Sequence, residues 1–116
     1  MKVIVAGSRT ITNMRHVSDA IRESGFKPTV IISGGALGVD MLGEVYADAY
    51  DIQKIIIEAN WDLYGKRAGY IRNCKMASIA DALIAVWDGK SKGTCHMIEE
   101  AQKRRLKVYV HRIESH

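Results

Sequence analysis

The stretch "VIISGGALGVD" at residues 30–40 decides the fold. It begins with a β-branched apolar run that is typical of a buried strand, passes through Gly34 and Gly35, and then takes on the apolar spacing of a helix. A strand that passes into a helix through a glycine-rich turn is the repeating unit of parallel α/β proteins. We therefore predict a strand over 29–35 and a helix over 36–50, with the two glycines at the opening of that helix.

The same alternation extends in both directions along the chain. Further strands are predicted over 2–7, 52–59, 82–89 and 107–112, and further helices over 13–25, 66–80 and 93–105, with an irregular connection over 60–65. Strands this uniformly apolar are buried on both sides, as in a parallel sheet. The predicted fold class is α/β: a Rossmann-like three-layer sandwich in which a parallel sheet of about five strands carries helices on both faces. We expect a single domain over residues 1–116.

The composition is that of an ordinary globular protein, with 47% hydrophobic and 26% charged residues. The net charge of +4 suits an anionic small molecule or a nucleic acid and does not choose between them. No apolar run approaches the roughly 20 residues that span a bilayer, so we expect no membrane association and a cytoplasmic location. Cys74 and Cys95 stand outside any metal-ligand spacing, so we expect reduced thiols, no metal and no cofactor. His16, His111 and His116 are expected on the surface.

Three loops that follow predicted strands have a composition suited to a phosphate. They are "GSRT" (7–10), "SGGALG" (33–38) and "WDGKSKGT" (87–94), and the carboxyl ends of parallel strands place all three at one edge of the sheet, where ligands bind. The first amides of a helix lack partners within it, and glycine lets an anion approach them closely. The loops therefore predict a phosphate cradle. The alternative is that the glycine pair only makes a tight turn.

The segment "YGKRAGYIRNCKMASIAD" (64–81) includes the helix predicted over 66–80, and one stripe along it, which we expect to be a functional side, carries Gly65, Gly69, Arg72, Asn73 and Met76. Its glycines cost about 1 kcal/mol each relative to alanine in a helix interior, so something must approach closely there. Arg72 can pair bidentately with a phosphate, and Asn73 offers a donor and an acceptor to a sugar or a base edge. Trp61 and Tyr64, just upstream, could stack on a base. The alternative is that the glycines serve packing between helices.

These motifs together resemble the SLOG superfamily of Rossmann-like proteins, and most closely its small YspA-like branch, found in bacteria and their phages. The resemblance rests on "GSR" (7–9), "SGGALGVD" (33–40), "WDLYGKRAGYIRNCKMA" (61–77) and "ADALIAVWDGKSKGT" (80–94), and it covers nearly the whole chain. The superfamily includes the DprA/Smf DNA-processing proteins and the LOG-type phosphoribohydrolases. The resemblance implies binding of a nucleotide or a nucleotide-derived ligand over the edge described above, and a homodimer.

LOG enzymes cleave the N-glycosidic bond of nucleoside 5′-monophosphates with an arginine and an acidic residue that soon follows a Gly-Thr pair. By the resemblance, Arg72 and Gly93-Thr94 take the matching places. The acidic residue is absent, since Cys95, His96 and Met97 follow Thr94, so whether the chain is an enzyme stays open. The candidates for a catalytic role are Arg72, Asp88 and Glu99.

Three functions follow, in decreasing order of support. The first is a nucleotide-binding module, the second a hydrolase that releases the base from a nucleotide, and the third a DprA-like protein that binds single-stranded DNA. The modest charge and few aromatic residues argue against nucleic acid as a partner. The predicted binding residues are Gly7, Ser8, Arg9, Ser33, Gly34, Gly35, Asp40, Arg72, Asn73, Asp88, Ser91, Lys92, Gly93 and Thr94.

Overall fold

Strands and helices alternate along the chain, and the computed structural model describes residues 1–114 of it, so the expectation for His116 lies outside the described residues. The strands are β1 (Lys2–Gly7), β2 (Val30–Ser33), β3 (Gln53–Ile56), β4 (Ala82–Trp87) and β5 (Lys107–Arg112). The helices are α1 (Met14–Ser24), α2 (Val39–Ala49), α3 (Trp61–Tyr64), α4 (Ala68–Ile79) and α5 (Lys92–Lys103), and a 3₁₀ turn (Gly65–Arg67) joins α3 to α4. Within the described part of the chain, no helix has both the length and the apolar character that a membrane span requires.

The strands form one sheet in the order β3-β2-β1-β4-β5, and every neighbouring pair is parallel. In this register Ile4 of β1 lies between Ile32 of β2 and Leu83 of β4. The chain first builds the sheet from β1 toward β3 and then returns to place β4 on the other side of β1. The strand order therefore reverses between β1 and β4, which is the point where open α/β sheets bind ligands.

The side chains of the sheet alternate between two cores. Val3, Val5 and Ile84 pack with α1 and α2 on one face. Ile4 and Leu83 pack with α4 and α5 on the other. All five side chains are fully buried, and each such burial stabilises the fold by about 1.5–3 kcal/mol. The predicted fold class, α/β with a five-stranded parallel sheet between two layers of helices, is confirmed.

The start of α2 differs from the prediction. Gly35 and Gly38 have φ angles of 72° and 77°, in the left-handed region that a right-handed helix cannot use. The helix therefore begins at Val39, after the second of these glycines, and β2 ends at Ser33. The prediction that Gly34 and Gly35 open the helix is wrong, because both lie in the loop that precedes it.

The connection that was expected to be irregular contains α3 and the 3₁₀ turn. The Oδ1 atom of Asn60 accepts a hydrogen bond from the amide of Leu63 (3.1 Å) and caps α3. Gly65 has a φ of 58° and ends α3, so it precedes α4 instead of sharing its functional side. As a result Trp61 folds back on α4: a Cβ built on Gly69 would lie 3.5 Å from its indole ring. The sequence did not predict α3, because a helix of a single turn is too short to show the apolar period of a helix.

Candidate functional site

Two neighbouring cavities open at the edge of the sheet where β1, β2 and β4 end. The first cavity has a volume of about 310 Å³ and lies between the loops after β1 and β2, α4 and the start of α5. The second cavity, of about 240 Å³, lies between the loop after β2 and the end of β3. They share Arg9, Ala36, Trp61 and Arg72. Ligand sites usually have volumes of about 300–1,000 Å³, so the first cavity alone is at the lower end of that range.

Arg72 lies on α4 at the boundary between the two cavities. Its Nη1 donates to the carbonyl oxygen of Gly34 (2.6 Å), and its Nε donates to Oδ1 of Asn73 (3.0 Å). Within residues 1–114 its Nη2 makes no hydrogen bond, and this nitrogen remains for a ligand. Burial lowers the pKa of Arg72, whereas the charge of Asp40 raises it. Because arginine stays protonated in proteins, the guanidinium is a positive charge fixed in position between the cavities.

Asn73 connects Arg72 to the start of α5. Its Oδ1 accepts from Arg72, so its Nδ2 is the donor that reaches the carbonyl oxygen of Gly93 (3.3 Å) and Nδ1 of His96 (3.1 Å). The ring of Tyr70 packs against the His96 ring, with centroids 4.3 Å apart. The hydrogen-bonded series from Gly34 through Arg72 and Asn73 to Gly93 therefore holds the loop after β2 and the start of α5 at a fixed separation.

The start of α5 borders the first cavity through Ser91, Gly93 and Thr94. Ser91 caps the helix by accepting from the amide of Thr94 (3.3 Å), and Oδ1 of Asp88 accepts from the amide of Ser91 (2.9 Å). The amides of Lys92 and Gly93 have no hydrogen-bond partner within the described residues. Free amides and the positive end of the helix dipole favour an anion here.

Asp40, in the first turn of α2, brings a buried carboxyl group to the first cavity. Its side chain is almost covered, with 6% of the residue exposed, and its Oδ2 accepts from the amide of Ala36 (3.3 Å). Burial raises the pKa of Asp40 above its ordinary value of 3.8, while the hydrogen bond from Ala36 and the charge of Arg72 lower it. Among residues 1–114, Asp40 is the only carboxylate that lines the first cavity.

The raised pKa of Asp40 predicts a pH dependence of stability. A carboxyl group whose pKa is higher in the folded chain stabilises the fold below its unfolded pKa, and this contribution is lost as the pH rises through the folded value. Asp40→Asn keeps an acceptor for the Ala36 amide but cannot ionise. We expect the stability of Asp40→Asn relative to the wild type to increase as the pH rises above 3.8. Urea unfolding of both proteins from pH 4 to pH 8 measures this difference, and Asp62→Asn, at an exposed site, serves as the control. If the stability of Asp40→Asn relative to the wild type stayed constant or fell as the pH rises, the pKa of Asp40 would not be raised in the folded chain.

Most predicted binding residues come together at this edge. Those that line the first cavity are Gly7, Arg9, Asp40, Arg72, Asn73, Ser91, Gly93 and Thr94. Gly34 and Gly35 line the second cavity instead. Four predicted residues line neither cavity: Ser8, Ser33, Asp88 and Lys92. Ser8 and Ser33 are buried, and their hydroxyls hold the surrounding loops in place. The hydroxyl of Ser33 bonds Glu44 (2.7 Å) and the Gly35 amide (3.1 Å), and that of Ser8 accepts from the Asp88 amide (3.1 Å).

The catalytic candidates do not share one site. Arg72 lines both cavities, whereas Asp88 accepts hydrogen bonds from the amides of its own loop, and those bonds lower its pKa. Glu99 is exposed on α5 and accepts a hydrogen bond from Cys95 (3.3 Å). Neither Asp88 nor Glu99 lines the first or the second cavity.

Three residues with charged or hydroxyl-bearing side chains line the cavities although the sequence did not predict them. Lys66 and Tyr70 line the first cavity, and Glu58 lines the second. The i, i+4 spacing of Lys66 and Tyr70 was a readable signal, because it would place them on one side of a helix. Glu58 stands near the carboxyl end of the strand predicted over 52–59, and that position was the corresponding signal. Tyr64, which was expected near a base, lines neither cavity.

One group of side chains in the described part of the chain has the donor types of a metal site. The ligand atoms of Cys74, His96 and Glu100 lie within 4.8 Å of one another. However, Asn73 donates to Nδ1 of His96, which leaves the proton of the neutral ring on Nε2. Glu100 is also paired with Arg104 (2.9 Å). Both features oppose cation binding, and the expectation that the chain holds no metal stays a prediction.

The strand order and the two cavities at its switch point define a Rossmann-like α/β protein with a candidate site for an anionic ligand. The sequence matches the family described as "YspA, cpYpsA-related SLOG family" over residues 1–64. It is also 31% identical to the Gene 61 protein of Mycobacterium phage D29, over 92% of this chain and 93% of that protein. The chain belongs to the YspA, cpYpsA-related SLOG family, and the resemblance read from its motifs is confirmed.

Two solved structures have a similar fold. DNA processing protein A (DprA) from Streptococcus pneumoniae matches 94% of this chain and 49% of its own, with a TM-score of 0.75 and 19% identity. DNA processing protein A from Helicobacter pylori matches 95% of this chain and 64% of its own, with a TM-score of 0.72 and 23% identity. This chain therefore spans between about half and two thirds of those proteins.

One expectation about partners is wrong. The charge and aromatic content argued against nucleic acid, yet the structure of the H. pylori protein is described by its unique single-stranded DNA binding mode. A domain of this fold thus occurs in a protein that binds nucleic acid. Overall composition was a poor guide, because such binding depends on where a few charged and aromatic side chains lie and not on their number.

Proposed function

We propose that the chain binds a phosphorylated nucleotide at the first cavity. The observation that carries this proposal is that Arg72 and Gly93, whose amide has no partner within residues 1–114, line the same cavity and are joined through Asn73. A guanidinium makes strong paired hydrogen bonds to phosphate, and helix amides add donors that need no reorientation. Membership of a SLOG family supports the same role.

The charges around the cavity also favour an anion. Arg9, Lys66 and Arg72 line it, against one carboxyl group among residues 1–114, that of Asp40, whose raised pKa disfavours its charged form. Trp61 and Tyr70 line it as well and are 53% and 46% exposed, so their rings are accessible to a base. The site therefore offers donors for a phosphate and aromatic surfaces for a base.

Single-stranded DNA is a second candidate ligand. The accessible rings of Trp61 and Tyr70 beside Arg9 and Lys66 are the combination that such proteins use, in which bases stack and the backbone meets positive charge. The fold shared with the H. pylori protein supports this candidate. A strand would follow the exposed rim of the cavity, whereas a free nucleotide would enter it.

Cleavage of the nucleotide has weaker support. Hydrolysis of an N-glycosidic bond needs a carboxyl group near the sugar, and within residues 1–114 Asp40 provides the one carboxyl group that lines the first cavity. Its pKa, raised by burial, suits a proton donor. Binding without turnover remains the better supported function. The single domain, the homodimer and the cytoplasmic location stay predictions.

One ligand panel tests these functions together. We expect a nucleoside 5′-monophosphate at about 100 times its Kd to stabilise the fold by about 2.7 kcal/mol and to raise the Tm by about 9–13 °C. The nucleoside without phosphate should have little effect. If DNA is the ligand, a short oligonucleotide should bind instead, with an affinity that falls steeply with salt. Chromatography of the same mixtures detects any released base. No stabilisation by any nucleotide or oligonucleotide would refute the proposal.

A further inference from the structure

We propose that the second cavity is a ribose subsite in which the vicinal 2′- and 3′-hydroxyls donate hydrogen bonds to the carboxylate of Glu58. The inference rests on the proposed function, because a phosphate held in the first cavity is what directs the sugar into the second. It makes the ligand a ribonucleotide and not its deoxyribose counterpart.

The two cavities are connected in the way that a nucleotide requires. Arg9, Trp61 and Arg72 belong to the walls of both, so a group bound at the guanidinium of Arg72 lies at their boundary. A phosphate at this boundary can contact Arg72 and face the start of α5. The sugar attached to it then has the second cavity within reach, beside the indole ring of Trp61.

Glu58 is positioned at the second cavity by the loop after β2. A Cβ built on Gly35 would lie 3.0 Å from Cγ of Glu58 and 3.2 Å from Cγ2 of Ile56, so the loop packs directly on the end of β3. Gly35 has a φ of 72°, which the larger residues rarely adopt. The conformation of the loop at Gly35 therefore places its backbone directly beside the Glu58 side chain at the second cavity.

The chemistry of the second cavity suits hydroxyl groups and opposes a phosphate. Glu58 makes no hydrogen bond and no ion pair within residues 1–114, so its carboxylate has free acceptor positions. An ionised carboxylate only accepts hydrogen bonds, and its two oxygens match two neighbouring hydroxyl donors. The same negative charge repels a phosphate. We therefore place the phosphate at Arg72 and the two hydroxyls of the ribose at Glu58, because each group then meets a side chain of suitable charge.

The experiment compares ribose with deoxyribose. The four ribonucleoside 5′-monophosphates and their 2′-deoxy counterparts are titrated into the wild type and into Glu58→Gln by calorimetry. We expect the wild type to bind the best ribonucleotide about tenfold more tightly than its deoxy counterpart, the effect of one hydrogen bond to a charged group. In Glu58→Gln the ratio should fall toward one. Affinity for inorganic phosphate should stay the same or increase slightly, because a nearby negative charge is removed.

Asp62→Asn is the matched control, since it removes an acidic charge from the adjoining α3 without touching the second cavity, and it should keep the tenfold ratio. Equal affinities for ribose and deoxyribose nucleotides in the wild type would overturn the ribose subsite while leaving the proposed function in place. A ratio that persists in Glu58→Gln would also overturn it, as would exclusive binding of DNA. If no nucleotide binds, both proposals fail.

Discussion

Arg72→Ala is expected to weaken the binding of a nucleoside 5′-monophosphate by about 100-fold. The substitution removes a fixed positive charge and a hydrogen bond to a charged group, which contributes about 1.5–3 kcal/mol. Each 1.4 kcal/mol corresponds to a tenfold change in Kd. Arg72→Lys should lose less affinity for the nucleotide, because lysine keeps the positive charge. It should still bind more weakly than the wild type, because an ammonium group lacks the forked geometry with which a guanidinium can bond both Gly34 and a phosphate.

Loss of Arg72 also frees two acceptors, the carbonyl oxygen of Gly34 and Oδ1 of Asn73. The free energy of unfolding should therefore fall by about 1–2 kcal/mol. Calorimetric titration at a temperature where the variant is still folded separates this loss from the loss of binding. Arg22→Ala removes the same charge from an exposed position on α1, where the side chain pairs with Asp19 alone among residues 1–114, and should bind nucleotide normally. If Arg72→Ala binds as Arg22→Ala does, the phosphate site lies elsewhere.

The fold could be predicted because its signals are local and repeated. Each strand is a short apolar run such as Val3 to Ala6, and each long helix has its own apolar period. Parallel strands then place the loops after β1, β2 and β4 at one edge whatever their exact bounds. For the same reason the residues at strand ends, Gly7 and Arg9 among them, were found at the first cavity.

The inner arrangement of the site could not be predicted, because it depends on backbone angles and on distances through space. The φ angles of Gly35 and Gly38 delay the start of α2, and no residue pattern distinguishes this loop from a helix opening. Sequence distance from Thr94 favoured Asp88 and Glu99 as the missing acidic group. In the structure neither of these two lines the cavity that Thr94 lines, whereas Asp40, which precedes Thr94 by about half the chain, does.

The glycine of "GSR" illustrates how a motif residue can be required for packing and not for the ligand. Gly7 ends β1 at the place where β1 pairs with β4 and where α2 begins. A Cβ built there would collide with the carbonyl oxygen of Val86 and would lie 2.7 Å from Cγ2 of Val39. The first of these atoms belongs to the backbone of a central strand and cannot move without shifting the sheet.

Gly7→Ala is therefore expected to lower the free energy of unfolding by about 3 kcal/mol, the upper part of the range for overpacking, and the Tm by about 10–15 °C. Gly93→Ala is the matched comparison. Gly93 also lines the first cavity, but a Cβ there would meet no heavy atom of residues 1–114 within 4 Å outside its own stretch of helix, and alanine is the better helix former. Its stability should equal or exceed that of the wild type. Thermal and urea unfolding of both variants, without ligand, measures the difference. If Gly7→Ala were as stable as Gly93→Ala, close packing of β1 on β4 and α2 could not be the reason for this glycine, and its role would have to lie with the ligand.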